Sequence, residues 1–221
     1  MIKIVNEDCL LGLQKMINEN NKVQLIVTDP PYTMTKRGKS CRPNYMKNNM
    51  GEDLFEIGIP KCEDWFKLCY DVLENETHFY TFCNINDISN YLNVAKKVGF
   101  KLHNIISMIK DTNMPNRWYL KQTELILFFR KGKAKPINDM TSRDNIKVQM
   151  PTIKNGKIHI TQKPIELIEK LVLNSSKEGE IVCDPFSGSG TTALACLNLN
   201  REFIGFEISE REYLKSLNRI N

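Results

Sequence analysis

The sequence is poor in the residues that build metal centres and covalent cross-links. Its seven cysteines (Cys9, Cys41, Cys62, Cys69, Cys83, Cys183, Cys196) include no C-x-x-C pair. An odd, dispersed set argues against both a disulfide framework and a zinc site, so they read as small core residues or free thiols. The three histidines, His78, His103 and His159, are too few and too separated to form a metal cluster. No apolar run nears the length of a membrane span. At the amino end, Glu7 and Asp8 interrupt the stretch that a secretory signal would keep apolar. No repeat, low-complexity tract or linker divides the chain. The expectation is a cytoplasmic protein without membrane contact. Its 221 residues predict one domain, 1–221, with length enough for a sizeable core.

What is present is an excess of positive charge, +5 at neutral pH, unevenly spread. Lys36, Arg37, Lys39, Arg42 and Lys47 follow one another with no acid before Glu52. A second run, Arg130, Lys131, Lys133 and Lys135, precedes Arg143, Lys147, Lys154 and Lys157. Either cluster alone reads as a solvated loop. Two of them, one abutting a candidate site, favour contacts to a phosphate backbone.

Short apolar or β-branched runs predict strands at 2–5, 23–27, 78–83, 103–109, 125–129, 181–183 and 203–206. Helical spacing predicts helices after the first two and between most of the others, including one that Pro164 opens at its first turn. This alternation specifies an α/β fold with a doubly wound, mostly parallel, seven-stranded sheet. The 125–129 strand is expected to run antiparallel at one edge. Residues 33–60 lack periodicity and read as a mobile loop.

Two stretches carry chemistry. Thr28-Asp29-Pro30-Pro31-Tyr32 ends the second strand. Two prolines cannot continue a ladder, so the chain stops there on a stiff platform bearing a carboxylate, free carbonyls and a flat ring. A rigid turn and a functional platform explain this motif equally well on its own. Asp184-Pro185-Phe186-Ser187-Gly188-Ser189-Gly190-Thr191-Thr192 is a strand–turn–helix whose glycines allow close backbone approach to a ligand, beside uncapped helix N–H groups. Glu207 ends the next strand, where dinucleotide folds place an acid for ribose hydroxyls. A P-loop lysine and the third glycine of a dinucleotide fingerprint are both missing, and an adenosine-containing cofactor fits better. The carboxyl-terminal part supplies only two strands, too few to bury their own faces. They must join the amino-terminal sheet, with the strands ending at Asp29 and Asp184 side by side at a switch point.

Together these motifs resemble the β group of the S-adenosylmethionine-dependent DNA amino-methyltransferases. The order, D-P-P-Y first and F-x-G-x-G last, is theirs. Asp8 stands where the family has a G-D pair, and His159-Ile160-Thr161-Gln162-Lys163-Pro164 is similar to its H-P-T-Q-K-P. Lys110, Pro115, Glu124 and Phe129 are similar to its K…P…E…F region. Glu7 in place of glycine and Ile160 in place of proline depart from the pattern. The resemblance implies a Rossmann-like methyltransferase fold with circularly permuted motif order, and S-adenosyl-L-methionine as cofactor. Phe186, Ser187, Gly188, Ser189, Gly190 and Thr191 would wrap that cofactor. Glu207 would hold its ribose, Asp8 its adenine, and Asp184, Thr161 and Lys163 would lie by its methionine end. A bland role for Lys163 as a helix-start cation stays equally open.

By the same resemblance, Asp29, Pro30, Pro31 and Tyr32 would be catalytic. Asp29 and the Pro30 carbonyl would accept the N–H groups of a base amine and localise its lone pair for in-line attack on a methyl group. Tyr32 would stack on the flipped-out base. Double-stranded DNA would be the partner, held by Lys36, Arg37, Lys39, Arg42 and Lys47 and by the later basic run, with sequence readout in 111–157. Family habit adds a homodimer. Aspartate before the prolines points to adenine N6, with cytosine N4 the alternative acceptor and a catalytically inactive binding partner the alternative of another class. The sequence carries no sign of which site is recognised or whether a restriction enzyme accompanies the protein.

Overall fold

A computed structural model describes residues 1–31, 60–114, 119–151 and 162–220. The elements in chain order are β1 (Ile2–Asn6), α1 (Cys9–Asn18), β2 (Val23–Thr28), α2 (Cys62–Val72), β3 (Leu73–Cys83), α3 (Ile88–Val98) and β4 (Lys101–Met114). They continue with β5 (Lys121–Lys131), β6 (Asn145–Val148), α4 (Ile165–Ser175), β7 (Ile181–Asp184), α5 (Thr191–Asn198), β8 (Glu202–Glu207) and α6 (Glu210–Ile220).

The eight strands of the described residues form one sheet in the order β1-β8-β7-β2-β3-β5-β4-β6. Every pairing is parallel except those of β5, which runs against both β3 and β4. The fold is therefore doubly wound and mostly parallel, as expected, but with eight strands. The addition, β6, lies along Ser107–Lys110 of β4. Exposed Asn145 and Lys147 alternate in it with half-buried Ile146 and Val148, but four residues are too few for that period to stand out in the sequence. The antiparallel strand is also not at the edge. Ile126, Leu127 and Phe129 are essentially inaccessible to solvent. That run of apolar side chains needs cover on both faces, which an interior position supplies.

Alternate residues of the strands feed two cores. On one face Val23, Ile26, Phe79 and Phe129 pack with Leu13 of α1, Trp65 and Phe66 of α2, and Tyr91 of α3. On the other, Leu25, Val27, Tyr80 and Ile126 pack with Leu167 and Leu171 of α4 and Ala193 of α5. The six described cysteines are buried and unbridged, in line with their reading as core residues. Pro164 stands just before α4, at the N-cap rather than inside the first turn. Gly99 closes α3 in the left-handed region, at φ 114°.

Away from the carboxyl ends of the parallel strands, buried His78 ties β3 to its surroundings. Its Nε2 is 3.0 Å from the Lys135 carbonyl, which can only accept, so this nitrogen carries the proton. The Ser175 hydroxyl then donates to Nδ1 (2.8 Å), and Tyr80 donates to Ser175 Oγ (2.7 Å). Desolvation pushes the imidazole down to about 4, so it stays neutral. Lys131 is likewise structural. Its ammonium donates to the Tyr70 and Leu73 carbonyls at the end of α2, each at 2.6 Å, above the Tyr70 ring.

Among the described residues, no helix is long and apolar enough to cross a membrane.

Candidate active site

Strands β2 and β7 are neighbours, with Leu25 opposite Val182 and Ile26 opposite Cys183. From β7 the chain winds towards β8, and from β2 it winds towards β3, so the order reverses between them. A crevice at the carboxyl ends is the consequence of that reversal. It is lined by Thr28, Asp29, Phe82, Gln162, Lys163, Asp184, Phe186–Ser189, Thr191 and Thr192. The two motifs, more than 150 residues apart in sequence, thus open into one cleft.

Asp184 holds the two halves together. Its Oδ1 accepts from the Thr28 hydroxyl (2.7 Å) and the Phe186 N–H (3.1 Å), and its Oδ2 accepts from the Thr192 hydroxyl (2.8 Å). Burial pushes this carboxyl up to about 6, against the pull of the three donors. Asp29 lies across the cleft, its Oδ2 2.6 Å from the Lys163 ammonium. That ammonium also stands 3.2 Å from Glu124 Oε2 and 4.7 Å from the centre of the Phe82 ring. Lys110 of β4 forms an ion pair with Glu124 from its other side. Desolvation alone would lower the Lys163 pKa, but the Asp29 and Glu124 charges outweigh it and hold the ammonium above its usual range. Glu124 mirrors it: burial would raise the carboxyl, yet Lys163 and Lys110 keep it below the ordinary carboxylate value.

The glycine turn fits a polar ligand. Gly188 and Gly190 lie at φ 50° and 75°, in the left-handed region. Gly190 is the N-cap of α5 and offers no side chain to its first N–H groups. Ser187 Oγ is buried and has no hydrogen-bond partner among the described residues. Helix α6 backs the turn: Arg219 Nη1 donates to the Ser189 carbonyl (3.2 Å) and the Thr191 hydroxyl (2.8 Å). Glu207 accepts from the N–H of Gly188 on one oxygen and of Ser209 on the other, both at 2.8 Å, which ties the end of β8 to the turn. Desolvation raises its pKa against those two donors. Each carboxylate oxygen keeps a second lone pair for a ligand hydroxyl.

The cleft brings together Asp29, Lys163, Asp184, Phe186, Ser187, Gly188, Ser189 and Thr191 of the expected residues. Asp8, Gly190 and Glu207 lie beyond its lining. Asp8 caps α1, its Oδ1 accepting from Leu10 N (2.7 Å) and Leu11 N (3.3 Å). Pro30 and Pro31 border a neighbouring hollow with Trp65, Asp87 and Tyr91, and Phe186 is a wall common to both. Tyr32, Thr161, the basic residues Lys36, Arg37, Lys39, Arg42 and Lys47, and most of the 33–60 segment lie outside the described residues.

Because β5 is antiparallel, Arg130 pairs with His78 midway along β3, whereas Leu125 pairs with Cys83 at its end. Arg130 and Lys131 therefore stand towards the opposite end of the strands from Asp29. Lys147, on β6 opposite Ile109, lies towards the site's edge.

Sequence reading missed Thr28 and Thr192 as ligands of Asp184, and Arg219 as a support of the turn. Their partners lie 156, 8 and 28–30 positions away, and only the Thr192 pairing, along one strand–turn–helix unit, left a local trace.

Doubly wound sheet, permuted motifs and shared cleft define a methyltransferase of the Rossmann-like type, and comparison with known proteins agrees. A family model described as DNA methylase, of the N6/N4 methyltransferase type, matches residues 23–219, and the chain belongs to that family. It is 30% identical to the type II methyltransferase M2.DpnII of Streptococcus pneumoniae, covering 96% of this chain and 86% of that protein. With M.HpaI of Haemophilus parainfluenzae it shares 31% identity over 89% of this chain and 67% of that one. Among solved structures, the M1.HpyAVI–SAM complex superposes with a TM-score of 0.79 and 29% identity over the full length of both chains. The cytosine-N4-specific PvuII methyltransferase has the same fold, with a TM-score of 0.74 at 17% identity.

Proposed function

We propose that this chain transfers a methyl group from S-adenosylmethionine to the exocyclic N6 of adenine in double-stranded DNA. The observation that carries the reading is the adjacency of β2 and β7, which opens the Asp29 platform and the glycine turn into one cleft. When bound, the cofactor supplies an electrophilic methyl on a sulfonium centre. The chain's own groups do the rest by position and charge. Asp29 and the Pro30 carbonyl receive the two N–H groups of the amine, which withdraws its lone pair from the ring. Tyr32 stacks on the extruded base. Phe186 and Gly188–Gly190 wrap the cofactor, with Glu207 on its ribose, Asp8 on its adenine, and Asp184, Thr161 and Lys163 towards its methionine end. Lys36, Arg37, Lys39, Arg42 and Lys47 hold phosphates, and 111–157 reads the sequence. Aspartate before the two prolines favours adenine over cytosine. The enzyme works in the cytoplasm.

Incubation with labelled S-adenosylmethionine and unmodified DNA, followed by digestion to nucleosides, tests this. N6-methyladenine is expected, and Asp29→Ala is expected to abolish it while cofactor affinity persists. N4-methylcytosine would move the acceptor. No transfer by folded, cofactor-binding protein would end the enzyme reading.

A further inference from the structure

Four charged side chains alternate in sign across the rim of the sheet. Asp29 follows β2, Lys163 precedes α4, Glu124 lies on β5 and Lys110 on β4. The chain of ion pairs passes over β3 at the Phe82 ring, and so spans four adjacent strands. Lys163 and Glu124 are its interior links; the Lys163 side chain is 9% exposed. Neither Glu124 nor Lys110 lines the cleft, and no role in cofactor wrapping accounts for them.

We propose that Lys110, Glu124 and Lys163 form a charge strut that fixes the direction of the Asp29 carboxylate, with Glu124 and Lys110 as positioning residues for methyl transfer. This rests on the reading of Asp29 as the group that receives the target amine. A lysine is a poor anchor by itself, because its four-carbon stem is flexible and its ammonium is nearly isotropic. Paired with Asp29 alone, the two side chains could swing together. A second carboxylate beyond it changes that. Glu124 draws the ammonium the opposite way, the Phe82 ring supports it from below, and Lys110 keeps Glu124 in place and charged. The four charges sum to zero, so the arrangement can be buried without stranding an ion. Its rigidity matters because an amine lone pair is aimed only if both of its acceptors stand still, and small misplacements at a reacting centre cost about 100-fold in rate.

The strut is read in two ways. In single-turnover transfer at saturating cofactor and DNA, Glu124→Gln is expected to lower the rate constant about 10- to 100-fold. The amplitude should hold, and the cofactor Kd should stay within about threefold. A purely structural role would lower the amplitude, which counts folded enzyme, and spare the rate constant. In an Asp29→Asn background the same substitution should slow transfer by less than about threefold, since the group it acts through is gone. Lys110→Met, at the other end of the strut from Asp29, carries the same test should Glu124→Gln fail to fold. An unchanged rate constant, an equal loss in the Asp29→Asn background, or a cofactor Kd weakened as much as the rate would each overturn the proposal. The second reading needs no activity: the 15N signal of the Lys163 ammonium, protected from exchange in the native protein, should lose protection in Glu124→Gln or Lys110→Met. Wild-type protein that transfers no methyl would therefore sink the enzyme reading, while the ammonium signal still decides the strut.

Discussion

Replacing Thr28 by valine deletes one hydroxyl and almost no volume, which isolates the bond between β2 and β7. In the native protein that hydroxyl donates to Asp184 Oδ1 at 2.7 Å, inside a fully buried cluster. A hydrogen bond to a charged acceptor contributes about 2 kcal/mol, and one to a neutral carboxyl about 1 kcal/mol. Asp184 titrates at about 6, so it is charged at pH 8 and protonated at pH 5. Because its folded pKa lies above the unfolded value, its ionisation costs stability at high pH, and that cost is relieved as pH falls through about 6. Loss of a donor enlarges the cost. Thr28→Val should thus destabilise by about 2 kcal/mol at pH 8 but by about 1 kcal/mol at pH 5. The difference corresponds to an upward shift of about 0.7 unit in the Asp184 pKa. For a chain of this length the pH 8 loss should lower Tm by about 4 to 8 °C. Urea unfolding at both pH values, with carboxyl 13C titration of Asp184, measures these quantities. Equal destabilisation at pH 5 and pH 8, or none at pH 8, would refute Asp184 as a charged acceptor that couples the two strands.

Two further predictions follow from the same geometry. His78, about 4 in the folded state against an ordinary 6.5, stays neutral while the unfolded chain takes up a proton. Its contribution is complete above pH 6.5 and falls by up to about 3 kcal/mol as pH drops towards 4; a pH dependence identical in His78→Gln would contradict this. Gly190→Ala places a Cβ at φ 75° and 2.9 Å from the Ser216 Cβ. Calorimetry should show a loss of about 2 kcal/mol together with weaker cofactor binding, and an unchanged Tm would show that the turn is not held against α6.

Local pattern revealed most strands and both chemical motifs, because a β-branched run bounded by turn residues and a glycine turn between strand and helix are properties of neighbouring residues. The adjacency of Asp29 and Asp184 was also legible, since two carboxyl-terminal strands cannot bury their faces alone. Pairing order was not. The run Leu125–Phe129 announces a buried strand, but whether its neighbours are β3 and β4 depends on contacts that no short window contains. The same blindness hid the work of charges. Lys131 looked like part of a phosphate-binding run and instead satisfies carbonyls at the end of α2. Lys163 could be read as a helix-start cation or a ligand, and its proximity to Asp29, 134 residues away, is a product of the tertiary fold.

The reversed strand β5 has a consequence for how this framework tolerates change. At the rim beside Asp29 the parallel strands leave the sheet for helices that must pack on one face or the other, so extra residues there disturb a layer. Strands β4 and β5 instead pair antiparallel with each other up to that rim, from Lys101 opposite Arg130 to Met114 opposite Lys121. Backbone hydrogen bonds between the two strands, including the pairing of Met108 with Glu124, hold that part of the rim. That part of the rim, which carries Lys110 and Glu124, is thus where two strands hold each other directly.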